Sequence, residues 1–195
     1  MDRIADHEIE GMFLKRWSPR AMSGDPLSYQ VLMQLFEAAR WAPSSANGQP
    51  WRFVYARGGT DVFARFHDLL AEGNKSWCAR AGALVVVISK TIFANGRPSP
   101  THSYDTGAAW MSLALEASAL GLVAHGMAGF DYDRARAELG VPAEYAVEAM
   151  LAVGYPGRLD ELSDRERLLE VPSGRRPVGE SVFEGTFGHS EDRIP

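Results

Sequence analysis

The chain has 195 residues, 46% of them apolar and 23% charged, and at roughly 100–200 residues per domain that length gives a single domain with a real core. Twenty Lys and Arg against 25 Asp and Glu leave a net charge of −5, so bulk electrostatics argue against a nucleic-acid partner. The longest unbroken apolar run, Ala83 to Ile88, spans six residues where roughly 18 are needed to cross a bilayer, and the start MDRIADHEIE has no apolar leader segment. No membrane association is expected, and a cytoplasmic location is. The one cysteine, Cys78, excludes an internal disulfide and a Cys-based zinc site and reads as structural.

In chain order, Asp25-Pro26 opens a helix whose apolar residues Val31, Leu32, Leu35, Phe36 and Ala39 form one stripe, ended by Pro43. Trp51, Phe53 and Tyr55 alternate with Arg52, Val54 and Ala56 in a strand closed by Gly58-Gly59. A second helix runs from a Thr60 cap through Val62, Phe63, Phe66, Leu69 and Leu70 and breaks near Gly73. Ala83–Ile88 is apolar on both faces, as in a strand at the centre of a sheet.

Asp105 to Leu120 predicts a helix apolar around most of its circumference, ended by Gly121. A short helix near Tyr132–Leu139 closes at Gly140, and Ala146–Val153 reads as another buried strand. After Tyr155-Pro156 the chain turns charged and small, which suits an arm lying across a neighbour. A 195-residue monomer has limited means of covering the central helix from all sides, so a dimer with a core-like interface is expected. The competing reading places that helix between sheet and flanking helices of one chain.

Arg16, Ser18 and Arg20 recur at a spacing of two around Pro19, which favours an extended segment whose alternate side chains converge. Two forked guanidiniums and a hydroxyl suit a phosphate or a flavin carbonyl; taken alone, the stretch also reads as solvated basic surface. Pro43-Ser44-Ser45-Ala46-Asn47-Gly48-Gln49-Pro50 is rigid and polar, fit to hold a planar heteroaromatic ring or to be an ordinary capped turn. His125-Gly126-Met127-Ala128-Gly129-Phe130-Asp131 lets a ligand approach backbone but lacks the dinucleotide fingerprint, and no phosphate-loop lysine pattern exists. The histidines His7, His67, His102, His125 and His189 lack metal-ligand spacing, and the carboxylates form no acid/base pair.

Taken in order, these segments resemble the nitroreductase family of FMN-dependent oxidoreductases. Arg16-Trp17-Ser18-Pro19-Arg20 resembles the family's Arg-x-Ser-x-Arg, and Ala42 to Trp51 is similar to its Pro-Ser-x-x-Asn-x-Gln-Pro-Trp loop. Further blocks follow in register: Asn74-Lys75-Ser76-Trp77, Asp105 to Ala109, Leu120-Gly121-Leu122, Gly129-Phe130-Asp131, Leu139 to Pro142, Gly154-Tyr155-Pro156 and Arg175-Arg176-Pro177. The resemblance spans about Arg16 to Gly188.

It implies an α+β fold, a mixed or antiparallel sheet flanked by helices, in one domain over residues 1–195. It further implies an obligate homodimer with two interfacial FMN sites, residues from about 156 to 195 forming an extension exchanged with the partner. By the same resemblance Arg16, Trp17, Ser18 and Arg20 contact FMN, the arginines toward phosphate and Arg20 near the pyrimidine edge. Asn74 binds ribityl or ring oxygen. Pro43, Ser44, Ser45 and Asn47 come from the other subunit, and Met127, Ala128 and Gly129 line the ring with a backbone N–H toward N5. Arg175 or Arg176 completes the phosphate site, and Trp77 is either a contact or packing.

No catalytic side chain is implied, because the flavin carries the hydride. NADH or NADPH and a small electrophile such as a nitroaromatic or quinone alternate over one ring face, a ping-pong cycle. The sequence departs from some members at Ala128, where they carry an acidic residue, and residues 90–104 are expected to set substrate choice. The competing functions are an FMN storage or sensing module, a reductive dehalogenase and a flavin-fragmenting enzyme.

Overall fold

A computed structural model describes residues 3–188; His189, the last residues of the extension and the two N-terminal residues lie outside that range. Four strands form one antiparallel sheet in the order β1-β2-β4-β3: β1 (Trp51–Arg57), β2 (Ala83–Lys90), β3 (Val123–Met127) and β4 (Tyr145–Gly154). The expected α+β class holds, and every pairing among the described strands is antiparallel.

The period-two alternation sorts the sheet into two cores. On one face Trp51, Phe53 and Tyr55 of β1, Val85 and Val87 of β2 and Leu151 and Val153 of β4 pack under α2 (Tyr29–Arg40) and α5 (His102–Ala119). On the other, Val54, Leu84, Val86, Ile88, Met150 and Ala152 pack against α3 (Asp61–Asp68), α4 (Glu72–Cys78) and α6 (Tyr132–Glu138). Because β2 and β4 are covered on both sides, their sequences are almost wholly apolar.

Several element boundaries differ from the sequence expectation. Helix α2 begins after Ser28, whose hydroxyl accepts from the Val31 N–H, because Leu27 is drawn into the core and its N–H bonds to the Gly82 carbonyl. The expected Thr60–Gly73 helix is two helices. Its first part keeps the Thr60 cap, but the chain breaks after Asp68 so that Leu70 can bridge to Phe130, and Gly73 lies inside α4. Helix α1 (Gly11–Lys15) was not anticipated.

Helix α5 buries Asp105, Thr106, Ala109, Leu113, Ala114 and Ala117, while Tyr104, Gly107 and Met111, spaced three and four apart, leave an open outer face. Its burial within one chain is therefore one-sided. The first part of the C-terminal extension packs on its own chain: Leu162 enters the core, and Arg80 pairs with Glu161 at 2.7 Å. Among the described residues no helix is long and apolar enough to cross a membrane.

Candidate functional site

Segment 16–20 is extended, as Pro19 requires, and lies along β3, where His125 Nδ1 meets the Pro19 carbonyl at 2.9 Å. A carbonyl can only accept, so the Nδ1 carries the proton. Burial holds the His125 imidazole below its ordinary pKa, with the Arg20 charge adding to that effect and the bond to Pro19 opposing it. A neutral ring thus pins the segment to the sheet.

The C-terminal extension closes the other side. The Glu170 carboxylate accepts from the backbone N–H groups of Arg20 at 2.8 Å and Ala21 at 2.9 Å, and Arg3 Nε donates to the Ser173 carbonyl at 3.1 Å. These contacts shape a cleft of about 310 Å³ lined by Arg3, Arg16, Trp17, Ser18, Arg20, His125, Leu169, Val171, Ser173 and Arg175. Four guanidiniums border it and no carboxylate does.

That composition has an electrostatic cost. Burial, followed by the charges of Arg3 and Arg175, holds the Arg16 guanidinium below its ordinary pKa. Arg16 donates to Ser18 Oγ at 3.3 Å, and Arg175 donates to Ser173 and Gly174, its neighbours in sequence; neither forms an ion pair with a described carboxylate. A cluster of cations sharing one cleft is the donor set a phosphate group fits.

One wall continues toward α4. The Trp77 ring lies 4.7 Å from His125, centroid to centroid, the Arg20 guanidinium stands 6.0 Å over that ring, and the buried Trp77 Nε1 has no acceptor among the described residues. One turn earlier, Asn74 Nδ2 donates to the Gly129 carbonyl at 3.0 Å, fixing the turn after β3. A Cβ at Gly129 would stand 2.7 Å from that amide, which explains the glycine.

Met127 directs its side chain into the core, its sulfur 3.4 Å from Cys78 Sγ, so only its backbone can face a ligand. Ala128 is exposed and Gly129 half-buried; their N–H groups donate to no described residue. Cys78 is fully buried, and desolvation pushes its thiol above the ordinary range, in keeping with a structural role.

Of the residues singled out in the sequence, Arg16, Trp17, Ser18, Arg20 and Arg175 meet in this cleft, and Asn74 with Met127–Gly129 forms the adjoining unit. Arg176 is exposed and does not line it. Pro43, Ser44, Ser45 and Asn47 lie elsewhere, in the loop entering β1 at the opposite edge of the sheet. That loop is locked by Gln49 N–H to Ser44 Oγ at 3.0 Å and Ser45 N–H to Asp105 Oδ2 at 3.1 Å. Three of its non-glycine residues, Ala46, Asn47 and Gln49, have φ near +50°, strain of the kind that collects at binding sites.

Two features escaped the sequence reading. Arg3 joins the cleft from far away in the chain, with no local motif around it. Glu148 is the extra residue of a β-bulge, since Val87 pairs with Ala149 but Ile88 pairs with Val147. The bulge turns its carboxylate toward the start of α5, where Ser89 and Ser103 hydroxyls donate to it. The Ser89 oxygen lies 2.7 Å from His102 Nδ1; with its own proton given to Glu148, it accepts from that nitrogen.

A family model described as the nitroreductase family matches residues 14–155. A Thermus thermophilus protein named NADH dehydrogenase is 31% identical over 180 residues, 73% of this chain and 84% of its own. A Rhodospirillum rubrum 5,6-dimethylbenzimidazole synthase is 28% identical, covering 82% of this chain and 87% of its own. A solved structure described as an oxidoreductase containing FMN is 43% identical and superposes with a TM-score of 0.92 over 96% of this chain and 97% of that one. Antiparallel sheet, covering helices and cation-lined cleft define an α+β protein built around an anion site at its β3 edge. The chain belongs to the nitroreductase family.

Proposed function

We propose that the protein is an FMN-dependent oxidoreductase that takes electrons from NADH or NADPH and passes them to a small electrophile such as a nitroaromatic or a quinone. The observation that carries this reading is the carboxylate-free cleft bordered by Arg3, Arg16, Arg20 and Arg175. FMN brings a phosphate of about −1.5 to −2 charge at pH 7, which offsets the mutual repulsion of those guanidiniums. Bound flavin supplies the two-electron carrier between nicotinamide and acceptor.

The chain's own residues bind and orient. Arg16, Ser18 and Arg175, with Arg3, hold the phosphate, Trp17 forms part of the cleft wall, and Arg20 supplies positive charge toward the ring. The Ala128 and Gly129 N–H groups offer donors to the ring edge, in a turn that Asn74 keeps fixed. In this reading donor and acceptor alternate in one pocket. The protein acts in the cytoplasm as a homodimer of single-domain chains. The open Tyr104–Met111 face of α5 fits such a pairing, which brings Pro43, Ser44, Ser45 and Asn47 to the partner's flavin, and the segment beyond residue 156 extends toward the partner.

Flavin fragmentation is the second reading, favoured by the similarity to the dimethylbenzimidazole synthase. The deciding experiment is an anaerobic titration of FMN-reconstituted protein with NADH and NADPH, read by flavin absorbance and followed by an acceptor panel and product analysis. Stoichiometric bleaching and rapid turnover with a nitro compound or quinone are expected. Protein that takes up no FMN, or stays yellow without turnover, overturns the oxidoreductase assignment, and ring-cleavage products establish the second reading.

A further inference from the structure

A second cavity, of about 610 Å³, opens between the Ser45–Gly48 turn and the Phe93–Arg97 loop. Both walls are held in place by the chain itself. Asp105 and Ser44 lock the first loop as described above. The second is closed by Phe93 N–H to the Arg97 carbonyl at 2.8 Å, Ser99 N–H to the Thr91 carbonyl at 2.8 Å and Arg97 N–H to Asn95 Oδ1 at 3.1 Å. Gly48 lets the two meet: a Cβ there would stand 3.1 Å from the Ser45 carbonyl and 3.5 Å from the Phe93 ring. A cavity with pre-set walls loses little ordering entropy when a ligand enters.

Its lining combines an aromatic ring from Phe93, amides from Asn47 and Asn95, and the exposed guanidinium of Arg97, with no carboxylate. The Arg97 side chain makes no hydrogen bond or ion pair with any described residue, whereas Arg40, Arg80, Arg134 and Arg158 each hold a carboxylate. An aromatic wall beside an unengaged forked donor suits a planar ligand that carries an anion.

We propose that this cavity is the subsite for the anionic substituent of the reacting partner, with Arg97 as the residue that selects it. The proposal rests on the oxidoreductase reading for what that partner is. Two sources share the chemistry: the carboxylate of an aryl electron acceptor, and the phosphates of the nicotinamide donor.

The test compares wild type with Arg97→Gln and Arg97→Lys. Equilibrium dialysis measures binding of 4-nitrobenzoate and of its neutral analogue 4-nitrobenzyl alcohol; stopped-flow reduction by NADPH and by NADH forms the donor arm. Losing a charge-assisted contact weakens binding roughly 10- to 100-fold. Arg97→Gln is expected to weaken the carboxylate ligand by that factor while the alcohol binds as before, and Arg97→Lys to recover part of the loss. The same loss confined to NADPH assigns the site to the donor's phosphate. Equal effects on charged and neutral ligands, or none on any anion, overturn the proposal. Absence of FMN uptake and of NAD(P)H oxidation counts against the oxidoreductase assignment alone, because dialysis still reports on Arg97.

Discussion

Replacing Arg175 by Gln should change cofactor affinity and the stability of the cofactor-free protein in different directions. Arg16, Arg3 and Arg175 share a cleft without a carboxylate, and the charges of the other two help hold the Arg16 pKa down. A base whose pKa is depressed on folding has its charged form disfavoured in the folded state, so the cluster opposes folding at every pH where all three are protonated, neutrality included. Removing Arg175 relieves that repulsion. Its own hydrogen bonds reach only Ser173 and Gly174, so their loss costs the extension little.

With FMN present the balance reverses. One charge-assisted bond to phosphate is worth about 1.5–3 kcal/mol, a roughly 10- to 150-fold rise in the dissociation constant. Flavin fluorescence quenching measures the affinity, and thermal unfolding of the cofactor-free protein measures the stability. Arg175→Gln and Arg16→Gln should both bind FMN more weakly and melt, without cofactor, no lower than wild type, whereas Arg176→Gln should match wild type in both. Unchanged FMN affinity in the Arg16 and Arg175 variants would refute the phosphate assignment.

Acid should destabilise the protein through His125. Its folded pKa lies below the ordinary 6.5, so the unfolded chain binds the extra proton first and stability declines as pH falls below that value; melting points from pH 7 to 5 should fall less steeply in His125→Gln. Glu148→Ala removes the acceptor of two serine hydroxyls, one of them the fully buried Ser89, and should cost about 1–3 kcal/mol in urea unfolding. Met111→Lys, placed on the open face of α5, should shift the protein to monomers in sedimentation experiments and weaken FMN retention with it. A charged dimer of wild-type affinity would show that this face is not the interface.

Legibility in the sequence followed the range over which each feature is decided. Trp51–Tyr55, Ala83–Ile88 and Ala146–Val153 announce themselves by alternation or by continuous apolar runs, and Thr60 and Gly140 mark helix ends through purely local chemistry. The break between α3 and α4 is invisible because Leu69 and Leu70 continue the helical stripe, and only the bridge from Leu70 to Phe130 ends it. Arg16, Ser18 and Arg20 stood out as a motif because they are neighbours. Arg3 did not, because its place depends on Ser173, 170 positions away. Likewise the polarity of Pro43–Asn47 was plain, but its position across the sheet from β3 is a property of strand order alone.

The bulge at Glu148 has an implication for how the strand came to carry a carboxylate. Tyr145 and Val147 face the same core as Met150 and Ala152, and Ala149 faces the opposite one with Leu151 and Val153. A chain lacking residue 148 would therefore run as a regular ladder with every flanking side chain on its present side. A single inserted codon is enough to convert a plain strand into this one, adding an acidic group at the head of α5 without repacking either layer.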